Sequence, residues 1–112
     1  MAKLTVHVLD TARGRPAAGV AVRLFRDNRL IQSAVTNEDG RLSEPLLQGP
    51  ALPAGSYRLE FAVGDYFAGL GHADARKFLD VVPVAFNVHD AAADYHVPLL
   101  VSPWSYSTYR GS

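Results

Sequence analysis

The run Tyr57-Arg58-Leu59-Glu60-Phe61-Ala62-Val63 alternates large apolar residues with charged or small ones without a break. A period of two places Tyr57, Leu59, Phe61 and Val63 on one side of an extended chain. Arg58, Glu60 and Ala62 fall on the other side. A helix would scatter the four large side chains around its circumference, so the segment reads as a strand with one buried face.

The same pattern extends outward in both directions. Further strands are expected at 3–9, 20–26, 29–36, 81–88, 95–101 and 104–109, with a weaker one within 42–47. Turn chemistry separates them: Gly14-Arg15-Pro16, Asp27-Asn28, Asn37-Glu38-Asp39-Gly40, the Gly/Pro-rich stretch from Gly49 to Gly55, and Ser102-Pro103. Asp27-Asn28, flanked by Arg26 and Arg29, predicts a two-residue hairpin and hence an antiparallel pair. One segment departs from the period: after Gly64, Asp65 is placed to cap a short helix with Tyr66, Phe67 and Leu70 on one face. Residues 73–79 read as loop or ragged helix. Short strands with one brief helix predict an all-β fold, a sandwich of two sheets.

The chain has 112 residues, enough for one domain spanning 1–112 and too few for two. Eleven basic and eleven acidic residues cancel. A neutral chain has no long-range field to hold nucleic acid or an anionic membrane, so neither is expected as a partner. Cysteine is absent, which removes disulfides, a thiolate nucleophile and cysteine-bound metal. No secretory leader or membrane-length apolar run is visible, so a cytoplasmic location is expected.

Alternation also sorts the histidines. Leu4, Val6 and Val8 point inward, so Lys3, Thr5 and His7 point outward; Tyr95, Val97, Leu99 and Val101 are inward, leaving His96, Pro98 and Leu100 outward. His72 and His89 fall outside the strands and read as ordinary surface imidazoles. A sheet face bearing Pro98, Leu100, Trp104 and Tyr106 is too apolar to stand in water, which predicts a second copy covering it. Histidines gathered there suit acid–base work near neutral pH. A three-histidine zinc site is the competing use, but no His-x-x-x-His or Glu-x-x-His pair supports it, so no metal is expected. Arg41, after the Asn37–Gly40 turn, is either a solvated cation or a planar fork of donors for a carbonyl or anion. No G-x-S-x-G, phosphate loop or H-E-x-x-H is present.

His7-Val8-Leu9-Asp10, Asp39-Gly40-Arg41, Asp65-Tyr66-Phe67, the run from Tyr95 to Pro103 and the terminal Tyr109-Arg110-Gly111-Ser112 occur in an order that resembles the transthyretin-related 5-hydroxyisourate hydrolases across nearly the whole chain. The resemblance implies a transthyretin-like sandwich of two four-stranded sheets with one short helix. It also implies a homotetramer, a dimer of dimers with active sites between subunits. The implied reaction is hydrolysis of 5-hydroxyisourate to 2-oxo-4-hydroxy-4-carboxy-5-ureidoimidazoline in urate degradation. Given the residues, no cofactor is expected. The family's catalytic set falls on His7, Arg41 and His96. Its substrate-binding set falls on His7, Arg41, Tyr109, Arg110, Gly111 and Ser112. The alternative is a small-molecule binding protein of transthyretin type that uses the same interface without chemistry. The sequence leaves open which histidine is the general base.

Overall fold

The computed structural model describes residues 2–112. The elements in chain order are β1 (Ala2–Asp10), β2 (Arg15–Pro16), β3 (Ala21–Arg26), β4 (Arg29–Val35), β5 (Leu47–Gly49), β6 (Gly55–Ala62), α1 (Val63–Gly69), β7 (Val81–Val88), β8 (Tyr95–Val101) and β9 (Tyr106–Thr108). They form two sheets. One runs β4-β3-β6-β7; the other runs β2-β1-β8-β9, with β5 also paired to β1.

The alternation read at 57–63 holds: Tyr57, Leu59, Phe61 and Val63 are all buried, as are Leu4, Val6 and Val8 on β1 and Tyr95, Val97, Leu99 and Val101 on β8. These side chains meet in one continuous core between the sheets. Each fully buried valine, leucine or phenylalanine contributes roughly 1.5–3 kcal/mol relative to exposure. Asp27 and Asn28 both take positive φ, at 52° and 63°, and Arg26 pairs with Arg29 across them. That is the tight antiparallel hairpin the sequence predicts.

The expected pair of four-stranded sheets differs in one edge. The strand beside β1, opposite β8, is broken into pieces. β5 pairs with Ala2, Lys3 and Leu4, an isolated bridge joins Arg41 to His7, and β2 pairs with Leu9 and Asp10. The weak strand expected within 42–47 is β5, displaced to 47–49, and Arg15-Pro16 is a pairing segment as well as a turn.

The helix begins at Val63 rather than after Asp65, with no side-chain cap; Asp65 sits in its first turn. Gly64 permits this, because a Cβ there would collide with the Asp80 carboxylate. Tyr66 and Phe67 are buried, whereas Leu70 is 46 % exposed and leaves the expected face. Tyr66 is drawn inward by a hydrogen bond from its hydroxyl to Asp10 Oδ2 (2.7 Å), a buried carboxylate whose Oδ1 also accepts the Arg13 amide. Burial and the Asp10 contact push the Tyr66 hydroxyl up to about 12, so it remains a donor. Trp104 also departs from expectation. It lies outside β9, stacked on Phe78 at 6.3 Å with its indole N–H directed to Asp74. Among the described residues no helix is long and apolar enough to cross a membrane.

Candidate active site

The site is built on the outer face of the β1–β8 pair. β1 and β8 run parallel with Thr5 opposite His96 and His7 opposite Pro98, so both histidines project from the same face. Parallel register is a tertiary property, and it sets the two imidazoles on adjacent strands rather than far apart.

Asn37 builds the turn that delivers Arg41. Its side-chain oxygen accepts the amides of Asp39 (2.9 Å) and Arg41 (3.2 Å), and its own amide donates to the Arg41 carbonyl at 2.7 Å. Gly40 takes φ +73° inside the turn, a conformation costly for residues with a side chain. The Gly40 carbonyl accepts the Val8 amide at 2.8 Å, which locks the turn to β1 and sets Arg41 across from His7.

His7 Nε2 lies 2.8 Å from the Asp39 carbonyl oxygen. A carbonyl only accepts, so Nε2 carries a proton and donates it to that oxygen. His96 Nδ1 lies 2.8 Å from Thr5 Oγ1. Burial first, then the charge of Arg41, then His7, hold the His96 imidazole below its usual 6.5, so it is neutral at pH 7.

The C-terminal tail returns to the same face. β9 pairs with Leu99, Leu100 and Val101, and the pairing resumes past Pro98 as a bridge in which the Gly111 amide donates to the His96 carbonyl at 2.8 Å. A β-carbon on Gly111 would stand 2.6 Å from His96 Cδ2 and 3.3 Å from Pro98 Cγ, so the bare glycine backbone lies directly against the imidazole. The tail also covers Pro98, which is buried despite facing outward.

His96, Arg41 and all four tail residues, Tyr109, Arg110, Gly111 and Ser112, line a cleft of about 780 Å³. That volume suits a small organic ligand. Thr5, Lys3, Glu44 and Asp94 also line it. His7 does not line the cleft; it stands beside it through the Arg41 bridge. Arg110 is engaged elsewhere: its guanidinium lies 4.2 Å over the Tyr95 ring and donates to the Asp94 carbonyl at 2.8 Å. These contacts anchor the tail. His72 accepts the Asp74 amide and packs on Phe67, and His89 packs on Tyr95; neither joins the cleft.

Sequence reasoning missed Thr5 and Asn37 as parts of this site. Thr5 shares the outward side of β1 with His7, but only the β1–β8 register reveals that it meets His96. Among the described residues no group of three potential metal ligands comes together. The arrangement can take a proton from water, hold an oxygen that becomes negative, and close one side of a small polar ligand.

Comparison with known proteins adds to this geometry. Residues 4–111 match the model described as the HIUase/Transthyretin family. The chain is 58 % identical to the 5-hydroxyisourate hydrolase of Ralstonia nicotianae, covering all of both chains. Among solved structures it resembles 5-hydroxyisourate hydrolase from Klebsiella pneumoniae, with a TM-score of 0.87, 36 % identity and complete coverage of both chains. It also resembles an (S)-allantoin synthase, with a TM-score of 0.92 and 44 % identity over 99 % of this chain, spanning 44 % of that longer protein.

Proposed function

This chain belongs to the HIUase/Transthyretin family, and from that premise we propose that it hydrolyses 5-hydroxyisourate to 2-oxo-4-hydroxy-4-carboxy-5-ureidoimidazoline, the span 1–112 acting as one hydrolase domain. The observation that carries the reading is the convergence of His96, Arg41 and the tail on one small cleft, with His7 bridged to Arg41 at its side. A carrier of apolar ligands has no use for a depressed imidazole beside a guanidinium.

Water attacks the ring carbonyl next to the scissile C–N bond. His96, neutral at pH 7, takes a proton from that water as the new C–O bond forms. The Arg41 guanidinium holds the carbonyl oxygen and offsets the charge that develops on it. The C–N bond then breaks, and the proton on His96 passes to the departing nitrogen. His7, bridged to Arg41 beside the cleft, holds the Arg41 segment in place. Tyr109, Gly111 and Ser112 form the wall against which the substrate lies, and Arg110 fastens that wall to Tyr95 and Asp94.

The reading includes four copies assembled as a dimer of dimers, with the cleft completed by a neighbouring subunit, and a cytoplasmic location. Support for assembly comes from the exposed rings of Tyr106 and Tyr109 on the tail side of the sheet. The test generates 5-hydroxyisourate with urate oxidase and follows its ultraviolet decay with and without this protein, alongside sedimentation. Faster decay by a species of four-chain mass is expected. Ligand binding without accelerated decay would replace the hydrolase with a carrier.

A further inference from the structure

We infer that Thr5 is the positioning residue of this site: its hydroxyl oxygen accepts the Nδ1 proton of His96 and so presents Nε2, unprotonated, as the base. The inference rests on the hydrolase reading for its catalytic consequence and on geometry for the contact.

Three observations carry it. Thr5 Oγ1 lies 2.8 Å from His96 Nδ1, within ordinary hydrogen-bond distance. The two residues are direct partners in the parallel β1–β8 register, so backbone pairing holds their separation. Thr5 is also β-branched and lies within a strand, where its χ1 has little freedom, so the oxygen stays where the register places it. On the far side, the ring is confined by the Gly111 backbone, with room for no β-carbon. The imidazole is therefore clamped between Thr5 and the chain end.

The direction of the hydrogen bond follows from the proton cycle. When His96 takes a proton from water, both ring nitrogens become donors. An oxygen that already accepts from Nδ1 keeps its bond and gains strength as the ring becomes positive. A hydroxyl that donated to Nδ1 would instead fix the proton on Nε2 and remove the base from the cleft. His7 shows the contrasting arrangement: a backbone carbonyl, which can only accept, faces its Nε2.

The test uses the intact protein with nitrogen-15-labelled histidine, comparing wild type, Thr5→Val and Thr5→Ser. In the wild type at neutral pH the His96 Nδ1 shift should be that of an N–H nitrogen and the Nε2 shift that of a bare one. Thr5→Val preserves shape and strand preference, so the fold should persist while the proton redistributes toward Nε2. Its kcat should fall about 10- to 100-fold, the scale expected when a catalytic group loses its placement. KM should stay within about twofold, since the loss lies in the transition state. Thr5→Ser retains the oxygen and should recover most of kcat and the wild-type shifts. A wild-type His96 protonated on Nε2 would overturn the inference, as would a Thr5→Val protein with unchanged kcat. Failure of the wild type to act on 5-hydroxyisourate would remove the substrate reading, whereas the nitrogen shifts test Thr5 without it.

Discussion

Gly40 lies against the backbone of Val8 so closely that any β-carbon there would overlap the Val8 carbonyl oxygen. The same pair shares a hydrogen bond, Val8 N–H to Gly40 carbonyl, and that contact seats the turn from which Arg41 projects. A backbone-to-backbone approach of this kind joins stability to the site, because the turn cannot back away without moving Arg41.

Gly40→Ala should therefore fail on two counts, the positive φ and the overlap. The strained backbone alone costs on the order of 1–3 kcal/mol. Urea unfolding should show at least that loss, and turnover should drop in the fraction that stays folded. A variant as stable and active as wild type would mean that the turn relaxes freely.

His7→Ala, Arg41→Ala and His96→Ala should each lower turnover while melting close to wild type. All three face away from the core, so truncation leaves no internal cavity. Removal of a general base typically costs about 10²–10⁴ in rate, and His96→Ala should show the largest loss. His89→Ala, whose ring packs on Tyr95 outside the cleft, should keep wild-type turnover. Equal, mild losses in all four would deny the three residues a special role.

A chain ending at Thr108 should lose at least about tenfold in turnover, roughly 1.4 kcal/mol of transition-state stabilisation. The truncation removes the Gly111 bridge and the surface confining the His96 ring. Core strands are untouched, so melting should change little. Gly111→Ala sharpens the test: the added carbon presses on His96 Cδ2 and should reproduce the loss with the tail present. Full activity in the truncated chain would refute a role for the tail in the reaction.

Acid should weaken both fold and activity through His96. Its folded pKa lies below 6.5, so as pH falls the unfolded chain takes a proton first. This contribution to stability is complete above about 6.5 and is lost on acidification through the folded value. Arg41 shares the cleft with the charged side chains of Lys3, Glu44, Asp94 and Arg110 and with the terminal residue Ser112, and His7 stands beside it. The acid limb of kcat/KM should fall below 6.5, and His96→Gln should flatten the stability slope there. An acid limb centred above that value would mean that another group sets the rate.

Much of the fold was legible because strand period is a local property. Pleating forces alternate side chains to opposite faces whatever else the chain does, so Leu59 and Phe61 announce a core and His7 and His96 announce an outer face without any knowledge of pairing. The Asp27-Asn28 hairpin was legible for the same reason: both residues tolerate the positive φ it demands. Helix placement was less so, since the start at Val63 depends on Asp80 fitting against Gly64, and the burial of Tyr66 on the distant Asp10.

By itself, the sequence determined most of the strands, their buried faces and the outward pair His7 and His96. Tertiary structure alone decided which of these residues meet. The parallel register of β1 and β8 joined Thr5 to His96 across 91 positions of chain, and the bridge at His7 chose Arg41. It also turned Arg110 onto Tyr95 and drew Trp104 to Phe78 and Asp74. Periodicity carries no information about such partners. They follow from closing long loops around a shared core, where a shift of one residue in register would reverse the face of every side chain on a strand.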